Sequence, residues 1–124
     1  FDPEQLYQIF WNLCTNAINH SGINTHQLLI TIQGKISDET QQPFIDIIDN
    51  GQGINEDISS FIFDPFYTTS TEGTGLGLYI IKEIVENNRA KIKHIVQPDN
   101  GSCFRIYFMQ PDSNVINITT DNQL

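Results

Sequence analysis

One central stretch constrains this chain more than any other. Residues 68–80 (TTSTEGTGLGLYI) carry a hydroxyl-rich run through three alternating glycines, Gly73, Gly75 and Gly77, into an apolar segment. Without Cβ atoms the backbone there can fold tightly enough to bring several N–H groups to one ligand. Leu78, Ile81, Ile84 and Val85 recur at helical spacing, so the loop ends at a helix N-terminus, where unpaired N–H groups and the dipole favour an anion. The ligand this predicts is a nucleotide polyphosphate. The plain alternative is a loop that only turns the chain.

The length of 124 residues suits one domain with a single two-layer core. No apolar run is long enough to span a bilayer, and the N-terminus lacks a basic region followed by an apolar one. Six Lys and Arg against fifteen Asp and Glu give a net charge of −9, which argues against binding nucleic acid or anionic membrane. A polyphosphate docking on so acidic a domain calls for a divalent cation. Cys14 and Cys103 have neither CxxC nor metal spacing and sit among apolar residues, so two reduced, buried thiols are expected. The glycosylation pattern at Asn117 is discounted, since nothing else suggests secretion.

Stacked start signals open the first helix: Asp2 to cap, Pro3 at the first helical position, Gln5 to complete a capping box, and Phe1 to staple onto Leu6. Leu6, Ile9, Phe10, Leu13 and Ala17 form its core stripe, and it should run to about His20 before Ser21 and Gly22 end it. Asn12, Asn16 and Asn19 lie at i, i+4 and i+7, a narrow strip beside that stripe. Asn is a mediocre helix former, so three on one strip require a reason. A solvated face is the plain one; a row of amides able to coordinate Mg²⁺ and donate to phosphate is the functional one.

Residues 27–36 read as a strand, 37–42 as a hairpin connection and 44–48 as a second strand, with Ile45, Ile47 and Asp49 on one face. Asp49 either starts the turn through Asn50 and Gly51 or stands as an ionised acceptor at the mouth of an apolar pocket, selecting an exocyclic amino group such as adenine's. Gly51, Gly53 and Ile54 follow, and Ile54 suits the floor for a flat ring. Residues 55–61 form a short helix or turn. Phe63, Phe66 and Tyr67 surround Pro65, and the segment from there to the glycines has the makings of a lid. A helix from Leu76 to about Asn87 or Asn88, a strand over 91–96, a turn at 99–101 and a strand over 102–109 complete the domain. From Gln110 the chain reads as a polar tail, in which 115–119 could add an edge strand.

These residues resemble the ATP-binding catalytic domain of sensor histidine kinases, in the wider group with DNA gyrase, the mismatch-repair ATPases and the heat-shock chaperone ATPase. The resemblance covers roughly residues 1–110 and leaves 111–124 as a tail. Residues 12–17 look like the family's N box, 49–54 its first glycine box, 63–66 its F box and 73–78 its second glycine box. The short lid is similar to that of the nitrogen-regulatory and pilus-regulatory branch. The resemblance implies an α+β fold, a two-layer α/β sandwich of the Bergerat type. Its sheet would be mixed and mostly antiparallel, with helices on one face. It also implies roles. Asn16 would hold Mg²⁺ with Asn12 beside it, both counted as catalytic. His20 would stack near adenine and Asp49 accept from the adenine amino group, in a pocket that includes Gly51, Gly53, Ile54, Phe66 and Leu76. Gly73, Gly75 and Gly77 would give phosphates backbone donors, helped by Thr68, Thr69 and Thr74. Ser102 would hold a water near adenine or serve only as a turn residue.

The family often has Lys where this chain has Asn19, and short-lid members usually have Lys where it has Ser70, which implies weak or strongly metal-dependent ATP binding. Hydrolysing relatives carry Glu at the position of Asn12. An amide cannot take a proton at neutral pH, so phosphoryl transfer to a histidine is favoured over hydrolysis. His26 and His94 lack the acidic helical context of a phosphoacceptor, which is therefore expected on a separate dimerisation domain. The implied partners are that domain and a response regulator receiver domain, within a cytoplasmic, homodimeric protein or the cytoplasmic part of a membrane-bound sensor. A docking module of the same fold without catalysis is the alternative. A dinucleotide oxidoreductase fails on glycine spacing, and a P-loop fails because Gly34 and Lys35 are followed by Ile36.

Overall fold

The first helix, α1 (Pro3–His20), starts where its sequence signals place it. Asp2 caps it: its Oδ1 accepts the Glu4 N–H at 3.0 Å, and its carbonyl accepts the Leu6 N–H at 2.9 Å. Long-range contacts take the place of the expected capping box, and Phe1 gains a partner besides its expected staple. The Asp2 N–H donates to Asn88 Oδ1 at 3.0 Å, Gln5 Oε1 accepts from Asn88 Nδ2 at 2.7 Å, and the Phe1 ring stands edge-on to Phe108 at 5.9 Å. A single distant amide thus satisfies groups that a local box would have satisfied, and it joins two helices as well.

The computed structural model describes residues 1–20, 22–24, 26–67, 77–98 and 101–109. After α1 come β1 (Ile30–Ile36), β2 (Pro43–Asp49), the short α2 (Glu56–Ser59), α3 (Gly77–Asn87), β3 (Lys91–Val96) and β4 (Ser102–Tyr107). The sheet order is β1-β2-β4-β3, and every pairing among the described residues is antiparallel. β1 begins later than its apolar pattern suggests, because Leu29 N–H and Gln27 C=O bond the Asn50 side chain, at 2.7 and 2.9 Å. The expected tail and the possible strand at 115–119 lie outside the described residues.

Register places Ile45, Ile106 and Ile92 in one row across the sheet, Ile47, Phe104 and His94 in the next, and Asp49, Ser102 and Val96 in the last. Onto this face α1 contributes Ile9 and Leu13, and α3 contributes Ile81 and Val85, all at most 2% exposed. Leu6, Phe10, Leu78 and Ile84 flank them half-buried. The helical layer stops short of β1, whose Ile32 and Ile36 stay exposed on the same face. On the opposite face Asp46, almost fully buried, pairs bidentately with Arg105 at 2.7 and 3.0 Å, and the guanidinium lies 4.2 Å over the Phe44 ring. Those hydrogen bonds hold the Arg105 pKa above its usual range. Both cysteines are free. Cys103 is buried, and burial pushes its thiol up to about 11; Cys14 is only half-buried, its pKa raised by the same cause.

α3 ends in a left-handed Arg89, φ 60°, with the Arg89 N–H on Glu86 O and the Ala90 N–H on Val85 O, both at 3.0 Å. This is the paired bonding of a Schellman cap, built without glycine.

Candidate nucleotide site

Asn88 ties the end of α3 to the start of α1, so the two packed helices run antiparallel and the C-terminal half of α1 lies toward the start of α3. The other end of α1 is fixed to the sheet. Asn50 laces the residues before β1 to the turn after β2, and Gly22, φ +75°, lies so close to Gln52 that a Cβ would come within 2.6 Å of its side chain. Three elements therefore converge at one end of the sandwich: the asparagine strip, the turn after β2 and the N-terminus of α3.

At that turn the half-buried Asp49 carboxylate accepts the Gly51 N–H at 2.8 Å on Oδ1 and the Ser102 hydroxyl at 3.0 Å on Oδ2. The first bond is the turn role of an Asp; the second is a strand-to-strand contact that orients the carboxylate. A carboxylate offers about four acceptor positions, so both oxygens keep capacity for an amino donor. Ser102, almost fully buried, thus acts on Asp49 directly, a role between the two expected for it. Gly53 has φ +81°, and a Cβ there would meet Gly101 O at 2.5 Å; Gly101, φ +122°, is equally confined, since a Cβ there would meet Asp49 O at 2.5 Å. Gly51 is buried and Ile54 packs against the core beside the turn.

Asn12 and Asn16 are half-buried, and among the described residues neither amide side chain has a hydrogen-bond partner; Asn19 and His20 are exposed. Gly77 opens α3, and a Cβ there would find nothing within 4 Å. Phe66 has φ 66° and is 73% exposed, while Phe63 stacks edge-on to Phe104 at 6.1 Å and Tyr67 packs on the core. Thr68, Thr69, Gly73, Thr74, Gly75 and Leu76, with the lid, lie outside the described residues.

Among the described residues there is no cluster of three or more His, Cys, Asp or Glu that could hold a metal. The donor set on offer is the pair of unpartnered amides, which fits Mg²⁺, an ion that commonly takes one or two protein ligands and completes its shell with phosphate and water oxygens. Sequence reasoning missed His94. Its Nδ1 lies 2.7 Å from Ser59 Oγ, its ring is edge-on to Phe104 at 5.4 Å, and its buried Nε2 has no partner among the described residues. Burial lowers its pKa, with Asp49 opposing. The signal was its place in the inward alternation of β3, beside Ile92.

A family model described as histidine kinase-, DNA gyrase B-, and HSP90-like ATPase matches residues 1–112. The sensor protein kinase PilS of Pseudomonas aeruginosa is 36% identical over 110 residues, 89% of this chain and 21% of that protein. The sensor histidine kinase ZraS of Escherichia coli is 37% identical over 106 residues, 86% of this chain and 22% of that protein. The chain thus spans about a fifth of the length of these curated relatives. Among solved structures, the catalytic domain of histidine kinase ThkA superposes with a TM-score of 0.70 at 31% identity, covering 86% of this chain and 67% of that one. No helix among the described residues is long and apolar enough to cross a membrane.

Proposed function

Because this chain belongs to the family of histidine kinase-, DNA gyrase B- and HSP90-like ATPases, we propose that it binds ATP with Mg²⁺ and serves as the catalytic part of a two-component protein-histidine kinase. It would pass the γ-phosphoryl group to a histidine on a separate dimerisation and phosphoacceptor domain, from which a response regulator receiver domain would take it. The sensor-kinase relatives favour this over a non-catalytic docking module. Residues 1–110 would form the domain and 111–124 its tail. The setting would be a homodimer in the cytoplasm or on the cytoplasmic side of a membrane sensor.

The observation that carries the reading is the Asp49 carboxylate, oriented by Gly51 and Ser102 and still able to accept from an adenine amino group. Ile54 and Gly53 would bound the ring, with His20, Phe66 and Leu76 closing around it. Asn16, with Asn12 beside it, would present carbonyl oxygens to Mg²⁺. When bound, the ion would offset phosphate charge that a domain of net charge −9 otherwise repels. Gly73, Gly75 and Gly77 would donate main-chain N–H groups to the phosphates, with Thr68, Thr69 and Thr74 adding hydroxyls. Asn12 holds no proton acceptor suited to activating water, which favours transfer over hydrolysis. Neutral Asn19 and Ser70 leave the metal and the main chain to carry the phosphate charge.

The test is to supply a separate phosphoacceptor domain of a sensor kinase relative, ATP and Mg²⁺, and to follow acid-labile phosphohistidine. In parallel, Asp49→Ala is expected to erase preference for ATP over GTP, and Asn16→Asp to change the metal requirement. Absence of phosphohistidine under every metal condition, with nucleotide binding intact in both variants, would overturn the proposal.

A further inference from the structure

We infer that His94 is a positioning residue for the nucleotide site: uncharged, it pins α2 and the segment up to Tyr67 to the sheet, and gaining a proton makes the site release nucleotide. This rests on the proposed ATP reading. His94 stands on the inward face of β3, in the row with Phe104 and Ile47 and next to the row of Asp49 and Ser102. Two contacts join its ring to the chain that follows the turn after β2. Its Nδ1 lies 2.7 Å from Ser59 Oγ at the end of α2, and its ring stands edge-on to Phe104 at 5.4 Å, the same ring that Phe63 meets edge-on at 6.1 Å. α2 begins directly beyond Ile54 and the cap Asn55. From Ile58 the chain proceeds through linked turns: Phe61 N–H on Ile58 O and Asp64 N–H on Phe61 O, both at 2.9 Å, then Tyr67 N–H on Asp64 O at 3.2 Å. What His94 holds is therefore the stretch between two parts of the proposed site, Ile54 and the hydroxyl-rich run that begins at Thr68.

The ring can do this only while it carries no charge. Its Nε2 is buried and has no hydrogen-bond partner among the described residues, so the imidazolium would aim an N–H at no acceptor, a costly arrangement for a buried cation. Burial accordingly lowers the His94 pKa, and the Asp49 carboxylate acts in the opposite sense. The other charged groups on the surrounding elements offer no relief. Glu56, Asp57, Asp64 and Glu83 are exposed, Lys82 and Glu86 face each other at 3.9 Å, and Lys91, Lys93 and Arg105 lie on the far face of the sheet. A protonated ring is thus relieved in one of two ways: it turns outward and lets go of Ser59, or it draws the Asp49 carboxylate away from the adenine amino group. Each weakens nucleotide binding. Affinity is therefore full above the His94 pKa of the folded domain and falls as pH drops through it. Linkage requires the converse, that bound nucleotide lowers this pKa further.

The experiment titrates a fluorescent ATP analogue with Mg²⁺ into the protein between about pH 8 and about pH 5, and follows the His94 imidazole by NMR with and without a non-hydrolysable ATP analogue. The unsubstituted protein is expected to lose affinity about fivefold or more across this range. His94→Asn, which keeps an amide to pair with Ser59 and cannot take a proton, should change by less than about twofold. Circular dichroism at each pH reports an intact fold. By NMR the His94 pKa, resolved from those of His20 and His26, should fall on saturation with nucleotide. Parallel acid losses in the two proteins, or a His94 pKa that nucleotide leaves unmoved, would overturn the assignment while the nucleotide site stands. No binding by the unsubstituted protein at about pH 8 would overturn the ATP reading itself, and this inference with it.

Discussion

Replacing Gly53 and Gly77 in turn by alanine should have opposite consequences, and the contrast separates a glycine needed by the fold from one needed by a ligand. At Gly53 the backbone has φ +81°, and an added Cβ would stand 2.5 Å from the Gly101 carbonyl oxygen, a backbone atom that cannot swing aside. The left-handed conformation costs a non-glycine residue about 1–2 kcal/mol, and relieving the overlap costs a further ~1–3 kcal/mol, so a loss of roughly 2–5 kcal/mol is expected. Gly101 backs onto Asp49, whose carbonyl oxygen a Cβ at Gly101 would meet at 2.5 Å, so a displacement of Gly101 should be felt at the Asp49 turn. At Gly77 nothing lies within 4 Å of an added Cβ. Alanine there should leave stability unchanged or raise it by up to ~1 kcal/mol, as expected for a helical Gly→Ala change. It should nonetheless weaken binding of ATP if the open space there takes a phosphate, as the proposed function has it. Urea denaturation gives the stabilities, and titration with a fluorescent ATP analogue gives the affinities. A Gly53→Ala protein within about 1 kcal/mol of the parent would refute the close-approach argument. A Gly77→Ala protein that binds ATP within threefold of the parent would refute the ligand argument.

Arg89→Gly should stabilise the domain by about 1 kcal/mol by relieving the left-handed conformation at the end of α3, read as a higher urea midpoint; a lower midpoint would show that the Arg89 stem packs usefully. His94 is held neutral by burial, its folded pKa below the unfolded value, so the unfolded chain binds the extra proton first as pH falls. Stability should be full above about pH 6.5 and decline as pH drops from there toward the folded pKa; His94→Gln should flatten that decline, and an unchanged slope would remove His94 as its source. Asp46→Asn should cost about 3 kcal/mol by leaving the Arg105 guanidinium without its bidentate partner. The double change Asp46→Leu with Arg105→Met should cost less in the same thermal melts, and a larger cost would mean that the pair contributes more than its charges require.

What could be read in advance was whatever chemistry is local. The start of α1 and the short helix expected within 55–61 each follow from residues a few positions apart; in the structure Asn55 Oδ1 caps that helix by accepting the Asp57 N–H at 2.9 Å. Asp49 and the asparagine strip were legible as a candidate site because their residue types conflict with their local setting. The contacts that assemble the site were not legible. Ser102 meets Asp49 across 53 positions and Asn88 meets Gln5 across 83, and no period along the chain encodes either. Gln5 illustrates the reason: its spacing from Asp2 suits a capping box, yet tertiary packing offers a partner that satisfies more groups at once. The late start of β1 has the same origin, since Asn50 takes the backbone groups that would otherwise have extended the ladder.

The Asn88 clamp has a mechanical corollary. With its far end fastened to the origin of α1, α3 is a short rod with one anchored terminus, so its N-terminal turn is held in place from behind. On the proposed reading that turn would meet a nucleotide already positioned, with no ordering of the rod to offset. Loosening the fastening should tax nucleotide affinity from the opposite end of the domain.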